Sequence, residues 1–534
     1  MNVLLEWLKV RTRKTGEKRY IIIFRAVLMA LLPFFCCFVY CAMRGESIVD
    51  VYLPSSEWND ELFYYKQVEG IVKYGYPLGY FGFNESHAIK LSFAAWSPVL
   101  VFPWVIWGIV FGWSLLSPVI CNIVLLTTAM FLFVCLAKPT WRQSGVLALL
   151  FCLYTLFVRY MLSGMPEVIC FSMLIVFYAL AVNYLDNEKL YKLVLMFLIS
   201  ALLTLMRPYM LLFMLLPIYL SVRSCKAKGI AGSALTVAVT VTGYALIKRY
   251  LGAEYFAPLF FTDWITAFFD EGLAAGIHNL FGTLYWMGRG FAADMLQGFR
   301  TGLASGAFFG GFTVMLLALA GQSAADWFRI RRNGAQALKK QLIIELHLAF
   351  CFTGMLFALL LMYKLTEGSK HLLTFMAVGI FVVALMDTKA YKKAVLIGVV
   401  FAYLFSYKAS EPYDYQVPFA DESVSGQLES WREVFEENIF LVREESPSFD
   451  NVIIWLFSDI VEGETVNTRW QLLYALPEGM GISCCTKEYL EESFDSLSSR
   501  YIAMPSGGEI DIMCKNSGYT ELHRDKDMVV YQRY

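Results

Sequence analysis

The sequence has little charge and few of the residues that build metal sites. Only 17% of its 534 residues are Asp, Glu, Lys or Arg, and 58% are hydrophobic, whereas charged residues make up about a quarter of an average soluble protein. Histidine occurs five times, and the twelve cysteines form no C-x-x-C pair and no cluster with histidine. The composition therefore excludes an ordinary soluble protein and argues against a structural zinc site.

What the sequence has instead is a series of apolar runs. A helix that crosses a bilayer needs about 20 mostly apolar residues. Eleven spans are predicted, at residues 21–43, 114–137, 143–160, 168–185, 190–206, 209–222, 229–250, 301–322, 342–363, 372–386 and 394–410. The predicted fold class is an all-α polytopic membrane protein of about 11 transmembrane helices.

The distribution of basic residues predicts the orientation in the cytoplasmic (plasma) membrane. Lys and Arg in short loops stay in the cytoplasm, and they recur at the N-terminus and in every second loop. The apolar stretch 91–112 contains two prolines and is rich in Trp. If it crossed, the basic loop after the second span would lie outside, so we predict that it lies along the outer surface. The N-terminus is then cytoplasmic, and the segments 44–113 and 251–300 are long outer loops.

The charge balance divides the chain into two domains. Residues 411–534 carry 24 acidic and 9 basic side chains, whereas residues 1–410 carry 21 acidic and 35 basic ones. The tail contains one helix-like stretch, 426–440, and strand-like runs such as NVIIWLFSD. We predict a transmembrane domain at 1–410 and a small extracytoplasmic α/β domain at 411–534. The tail has no catalytic motif, and its position suggests a role in binding an acceptor or a partner.

The stretch Asn59-Asp60-Glu61 follows the first span and begins a helix-like segment. Asn is a favoured N-cap, acidic residues suit the first turn, and Gly75 followed by Pro77 supplies a stop signal. Two interpretations remain open at this point. The carboxylates start an amphipathic surface helix, or they carry out chemistry.

The order of features resembles the membrane glycosyltransferases of the GT-C superfamily, which includes protein O-mannosyltransferases and the aminoarabinose transferases of lipid A. A short basic N-terminus and one span lead to an external Asp-Glu pair, then to a Pro-containing interfacial helix that ends in GIVFGWSLLSP, and then to a span. The resemblance covers about residues 1–410. It implies that Asp60 is the catalytic base, with Glu61 as its neighbour.

Two further motifs carry the resemblance at span ends. In RYMLSGMPEVICFSML, Glu167 takes the place of the acidic residue that the family has at the start of the fourth span. In LLTLMRPYMLL, Arg207 takes the place of an Arg that contacts substrate. The alternatives are that Glu167 only begins a helix and that Arg207 only extends to the membrane surface.

The loop before the tenth predicted span supplies the implied phosphate site. In YKLTEGSKHLLTF, Lys370 and His371 replace the Arg and Tyr of the family motif, and Lys364 lies nearby. A Lys can bind phosphate as a point charge, although it lacks the two-pronged geometry of Arg. The alternative is anchoring of these residues at the membrane interface.

The resemblance implies a donor sugar on a polyprenyl phosphate or pyrophosphate and a glycan, lipid or protein acceptor at the outer face of the bilayer. Direct attack at the anomeric carbon inverts its configuration. No cofactor is assigned, the involvement of a divalent cation stays open, and no nucleic acid partner is expected. Two other classes also remain open, a multispan transporter or flippase and a non-catalytic partner in cell-envelope polymer assembly.

Overall fold

A computed structural model describes most of the chain. The described residues are 17–51, 59–75, 81–85, 97–154, 156–251, 262–301, 304–334, 338–362, 369–385, 392–393, 395–397, 399–400, 419, 422–442 and 448–533. The predicted span at 394–410 therefore lies mostly outside the described residues, and the number of spans stays a prediction.

The first part of the chain is almost entirely helical. Its α-helices are α1 (Arg19–Ala30), α2 (Leu32–Arg44), α3 (Asn59–Tyr74), α4 (Phe102–Phe111), α5 (Ser117–Ala137), α6 (Trp141–Leu153), α7 (Leu156–Met161), α8 (Glu167–Asp186), α9 (Leu190–Met206), α10 (Leu215–Leu251), α11 (Asp263–Asp270), α12 (Leu273–Thr301), α13 (Ala304–Asn333), α14 (Leu338–Met362) and α15 (Ser369–Leu385). Short 3-10 helices precede α4 and α10, at Pro98–Val101 and Pro208–Met214.

Helix α8 lies at the centre of this bundle. It packs against α5, α9 and α15, and most of its side chains are buried. Large apolar side chains that the bundle does not cover, such as Phe38, Leu198 and Val239, point outward. Within the part of the chain that the structure describes, five helical segments are long and apolar enough to cross a bilayer by length and composition. The chain is an integral membrane protein, because only lipid provides a favourable environment for such a surface.

One predicted span is divided, and two others are joined by a tight reversal of the chain. The third, predicted at 143–160, is divided into α6 and α7 at Tyr154. The predicted sixth and seventh spans correspond to the two arms of α10, which meet at Lys226, where a non-helical backbone (φ 52°, ψ −126°) reverses the chain. The reversal brings Gly229 so close to Ser221 that a Cβ atom on Gly229 would clash with the Ser221 carbonyl oxygen. Only glycine fits there.

The predicted interfacial segment contains a helix too short to cross the membrane. Helix α4 has ten residues and is therefore about 15 Å long, half of the roughly 30 Å hydrocarbon core. It packs against α3 and α5. In the second long loop, α12 exposes apolar side chains such as Phe281 and Trp286. Both elements suit positions at the membrane interface, which the sequence predicted for the segment that contains α4.

The C-terminal part is a small α/β domain, as the sequence predicted. Its strands are β2 (Val452–Trp455), β3 (Ser458–Val461), β4 (Glu464–Asn467), β5 (Gly481–Cys484), β6 (Tyr501–Pro505), β7 (Thr520–Arg524) and β8 (Met528–Gln532), and its α-helices are α16 (Glu422–Asn438), α17 (Lys487–Ser493) and α18 (Glu509–Asn516). Strands β3 and β4 form a hairpin whose two central residues, Glu462 and Gly463, both have positive φ, as a type I′ turn requires.

A buried ionic network stabilises this domain. Arg524 donates two hydrogen bonds to the Asp511 carboxylate, at 2.7 and 2.8 Å, and the Tyr531 hydroxyl donates a third at 2.6 Å. Burial alone would raise the pKa of Asp511, but these hydrogen bonds and one from the Gly507 N–H outweigh it and hold the pKa below its usual range.

The first outer loop contributes a strand to the C-terminal sheet. Strand β1 (Phe81–Phe83) pairs in parallel with β5, so the sheet order is β1-β5-β2-β6-β8-β7. The next residues extend the contact. The Asn84 Oδ1 accepts the Thr486 N–H at 3.1 Å, and the Glu85 carboxylate accepts the N–H groups of Ser498 and Ser499 at 3.0 and 2.6 Å. The loop and the C-terminal domain are therefore one packed unit.

Candidate functional site

Helix α3 connects the membrane part and the C-terminal domain. It begins at Asn59 with two carboxylates in its first turn and ends before Gly75, which has a φ of 77°. Tyr64 and Val68 belong to the core of the membrane part, whereas Leu62 and Tyr65 belong to the core of the C-terminal domain. The helix predicted from its capping residues is confirmed, but its predicted position at the surface is wrong, because it is enclosed on both sides.

The first-turn carboxylates have different surroundings. Glu61 is fully buried, and its Oε1 lies 3.1 Å from Nη2 of Arg159, which is also buried. Asp60 is half-buried and takes part in interactions of its own. A buried charge is strongly destabilising unless its partner lies beside it. The ion pair therefore holds both side chains in one orientation. Glu61 therefore fixes the start of α3 against α7. Asp60, the preceding residue, stays partly exposed.

A second buried cluster forms where four elements meet. Glu167 at the start of α8 accepts a 2.6 Å hydrogen bond from Nη2 of Arg207, and both side chains are fully buried. Nη1 of Arg207 lies 3.0 Å from the Tyr209 hydroxyl and 3.3 Å from Nδ1 of His371. The Tyr209 hydroxyl is also 3.2 Å from this Nδ1. Since a guanidinium can only donate, Nδ1 of His371 accepts and the ring proton is on Nε2.

The two clusters are neighbours. Tyr64, one turn after Asp60, is close enough to Arg207 to interact with its charge. The turn that precedes Glu167 is fixed by Asn122 of α5, whose amide donates to the carbonyls of Ser163 and Met165 at 3.3 and 3.1 Å. The start of α3 thus lies against the same end of the bundle as the start of α8.

A cavity of about 540 Å³ adjoins the second cluster. Its walls are mostly apolar side chains of α10, α14 and the 3-10 helix Pro208–Met214, such as Leu212, Met355 and Leu359. Its polar lining residues are Tyr209, Tyr244, Lys248 and His371. An elongated apolar molecule with an anionic end fits this combination, because the walls favour hydrocarbon and the cationic and hydrogen-bonding groups favour an anion.

The structure locates most of the predicted site residues at this end of the bundle. Glu61 and Glu167 are brought into the two adjacent clusters, and Arg207 and His371 bond directly to each other. Lys370 belongs to the first turn of α15, and Lys364 lies outside the described residues. Neither Glu167 nor Arg207 is at the surface, since both are 0% exposed.

Three members of the site were not assigned from the sequence. Arg159 is the partner of Glu61, Tyr209 links Arg207 to His371, and Lys248 lines the cavity. The signal for Arg159 was present, because a single arginine within the apolar run LFVRYM needs a buried partner. Nothing in the local sequence distinguishes Tyr209 or Lys248 from ordinary interfacial residues. Among the described residues, no group of three or more His, Cys, Asp or Glu side chains is arranged to hold a metal ion.

No protein-family model matches the chain, and no curated protein matches its sequence. Solved structures do resemble it. The oligosaccharyltransferase of Archaeoglobus fulgidus is 13% identical over 94% of this chain and 73% of its own, with a TM-score of 0.43. ArnT of Cupriavidus metallidurans bound to undecaprenyl phosphate is 9% identical over 95% of this chain and 97% of its own, with a TM-score of 0.42.

The apo form of that ArnT gives a similar result, with 10% identity and a TM-score of 0.41. These neighbours are GT-C glycosyltransferases, the group that the sequence resembles. At such low identities and TM-scores, the similarity carries no conclusion about activity or substrate.

Proposed function

We propose that this protein is an integral-membrane glycosyltransferase that moves a sugar from a polyprenyl phosphate or pyrophosphate to an acceptor hydroxyl at the outer face of the membrane, with inversion. The observation that carries the proposal is the apolar cavity beside the buried Glu167, Arg207, Tyr209 and His371 cluster. A polyprenyl chain suits the cavity walls, and its phosphate suits the cationic end.

The residues supply the groups that this reaction needs. The Asp60 carboxylate takes the proton of the acceptor hydroxyl while the acceptor oxygen bonds to the anomeric carbon. The bond between the anomeric carbon and the donor oxygen breaks, and its electron pair remains on the departing phosphate. Positive charge from Lys248 in the cavity lining and from Arg207, which bonds to the lining residues Tyr209 and His371, stabilises that phosphate, and Nε2–H of His371 is a further donor. Lys370 is the further cation that the sequence predicts for this role.

Glu61 and Glu167 have supporting roles in this proposal. Glu61 holds the first turn of α3 through Arg159, so that Asp60 keeps a fixed position. Glu167 orients Arg207. Its second oxygen, Oε2, is buried and has no hydrogen-bond partner among the described residues, which leaves it able to accept from a substrate hydroxyl.

The test uses purified protein in liposomes that contain a radiolabelled farnesyl- or undecaprenyl-phosphate sugar. Release of the polyprenyl phosphate together with transfer of the label to an added acceptor defines the activity. We expect Asp60→Asn to lower the rate at least 100-fold and Glu167→Gln to lower it as well. Asp263→Asn is the matched control, because Asp263 is an exposed aspartate in the first turn of α11.

Three outcomes separate the alternatives. Full activity in both Asp60→Asn and Glu167→Gln would refute the site. Movement of the lipid between leaflets without cleavage of the sugar would indicate a flippase, and binding without turnover would indicate an assembly partner. A parallel assay with EDTA decides whether a divalent cation takes part.

A further inference from the structure

One tyrosine of the C-terminal domain packs against the first turns of α3. Tyr474 lies in the 3-10 helix Trp470–Ala475, between β4 and β5. Its ring packs edge-on against the ring of Tyr65, with centroids 5.4 Å apart, and it shares a core with Leu62. Leu62 and Tyr65 are within five residues of Asp60, so Tyr474 is placed against the half of α3 that carries the carboxylates.

The hydroxyl of Tyr474 is buried and unsatisfied. The residue is 8% exposed, and its Oη has no hydrogen-bond partner among the described residues. Buried hydroxyls normally find a partner, because the lost hydration is otherwise not replaced. Glu61 is close enough to interact with it electrostatically, and burial and this carboxylate both raise the pKa of Tyr474. The hydroxyl therefore stays protonated and remains able to donate.

The position of Tyr474 is fixed by contacts between the segment that follows it and the C-terminal half of α3. The Glu69 carboxylate accepts the Gly479 N–H at 3.2 Å, and Lys73 donates to the Glu478 carbonyl at 2.7 Å. Gly479 has a φ of 92°, and a Cβ atom there would lie 2.7 Å from the Tyr74 hydroxyl. The segment that follows Tyr474 is thus attached to α3 at two points, which holds the tyrosine in one place.

The two faces of α3 contact different parts of the protein. Tyr64 faces Arg207 and the membrane part, where a lipid-linked donor must lie. Tyr65 and Tyr474 are on the opposite side, within the water-soluble domain. In the proposed transfer the polyprenyl chain lies on the membrane side of α3, which leaves the side of the C-terminal domain for the acceptor.

We infer that Tyr474 donates a hydrogen bond to the acceptor, so that the site is shared between the membrane part and the C-terminal domain. This rests on the proposed glycosyl transfer. Tyr474 orients the acceptor so that its hydroxyl faces the Asp60 carboxylate, and it takes no part in the bond changes. It is a positioning residue supplied by a domain in which the sequence shows no catalytic motif.

The experiment compares Tyr474→Phe with wild-type protein in the liposome assay, with a series of octyl glycosides as acceptor probes. The loss of one hydrogen bond should raise the acceptor KM about 10-fold, while the donor KM and the thermal stability stay unchanged. Tyr501→Phe is the matched control, since Tyr501 is a buried tyrosine of the same domain whose hydroxyl bonds to the Phe440 backbone. It should leave both KM values unchanged.

A second variant, Gly479→Ala, shifts the segment without removing the hydroxyl, and it should also raise the acceptor KM. An unchanged acceptor KM in Tyr474→Phe overturns the inference even when the wild-type protein is active. Donor hydrolysis by wild-type protein without use of any octyl glycoside also overturns it. If the wild-type protein consumes no donor at all, the proposed function itself fails.

Discussion

The pair Glu167–Arg207 gives the sharpest prediction about the site. Both side chains are 0% exposed and their charged atoms are 2.6 Å apart. With an effective dielectric constant of about 20, the attraction at this distance is about 6 kcal/mol. Most of it offsets the cost of removing two charges from water. We therefore expect a small net contribution from the intact pair and a large loss when one partner is removed.

The perturbation is a double-mutant cycle with Glu167→Gln, Arg207→Met and the combination. Each single change strands one buried charge and should lower the free energy of unfolding by about 3–5 kcal/mol. The combination leaves no charge behind and should cost clearly less than the sum of the two. The resulting coupling energy should be about 3 kcal/mol.

The assay is unfolding in mixed micelles as the denaturing detergent is increased, followed by tryptophan fluorescence. The control cycle uses Glu188→Gln and Arg223→Met, a pair 3.3 Å apart whose side chains are 46% and 48% exposed. Its coupling should be below about 1 kcal/mol. Additive losses in the Glu167 cycle, with a coupling no larger than that of the control, would refute the account of the buried pair.

Three further predictions concern other parts of the molecule. Glu61→Gln should strand Arg159 and lower the free energy of unfolding by about 3–5 kcal/mol, measured by the same unfolding assay. Gly229→Ala should lower the free energy of unfolding by more than about 1 kcal/mol, because the added Cβ meets a backbone carbonyl. Gly232→Ala is its control. It should be neutral or stabilising by up to about 1 kcal/mol, because nothing lies within 4 Å of the added Cβ. Since the folded-state pKa of Asp511 is lowered, its stabilisation is present at neutral pH and is lost as the pH falls below about 4; Asp511→Asn should remove this part of the pH dependence, measured by thermal unfolding between pH 2 and pH 7.

Each of these three predictions would be contradicted by a specific result. An unfolding curve of Glu61→Gln that overlays wild type would mean that Arg159 does not depend on that carboxylate. Equal stability of the two glycine variants would show that the chain reversal near Ser221 tolerates a side chain. An acid-induced loss of stability that persists unchanged in Asp511→Asn would place its origin in other carboxylates.

Local signals predicted much of the fold. Asn59, the acidic pair and Gly75 correctly located α3, and the apolar runs located the helices of the membrane part. Short apolar runs such as NVIIWLFSD located strands of the C-terminal domain, among them β2. These elements are determined by neighbours in the sequence, so the sequence is enough to find them.

Contacts between distant residues could not be predicted in the same way. Glu61 and Arg159 are 98 positions apart, and Arg207 and His371 are 164 apart. The strand β1 is only three residues long, too short for a periodic signal. The sequence suggested Asp60, Glu167, Arg207 and His371 through a resemblance in the order of motifs, whereas Arg159 and Tyr474 become visible only when the chain is folded.

The pairing of β1 with β5 also constrains how the protein is made. Residues 81–83 pair with residues 482–484, so a strand that emerges early in synthesis has to wait for a partner that is made near the end. A ribosome adds roughly 5–20 residues per second, so this delay is at least about 20 seconds. A chain truncated before β5 could insert all its spans and still lack the C-terminal domain that packs against one side of α3. Cellular quality control could therefore detect incomplete chains by this exposed helix.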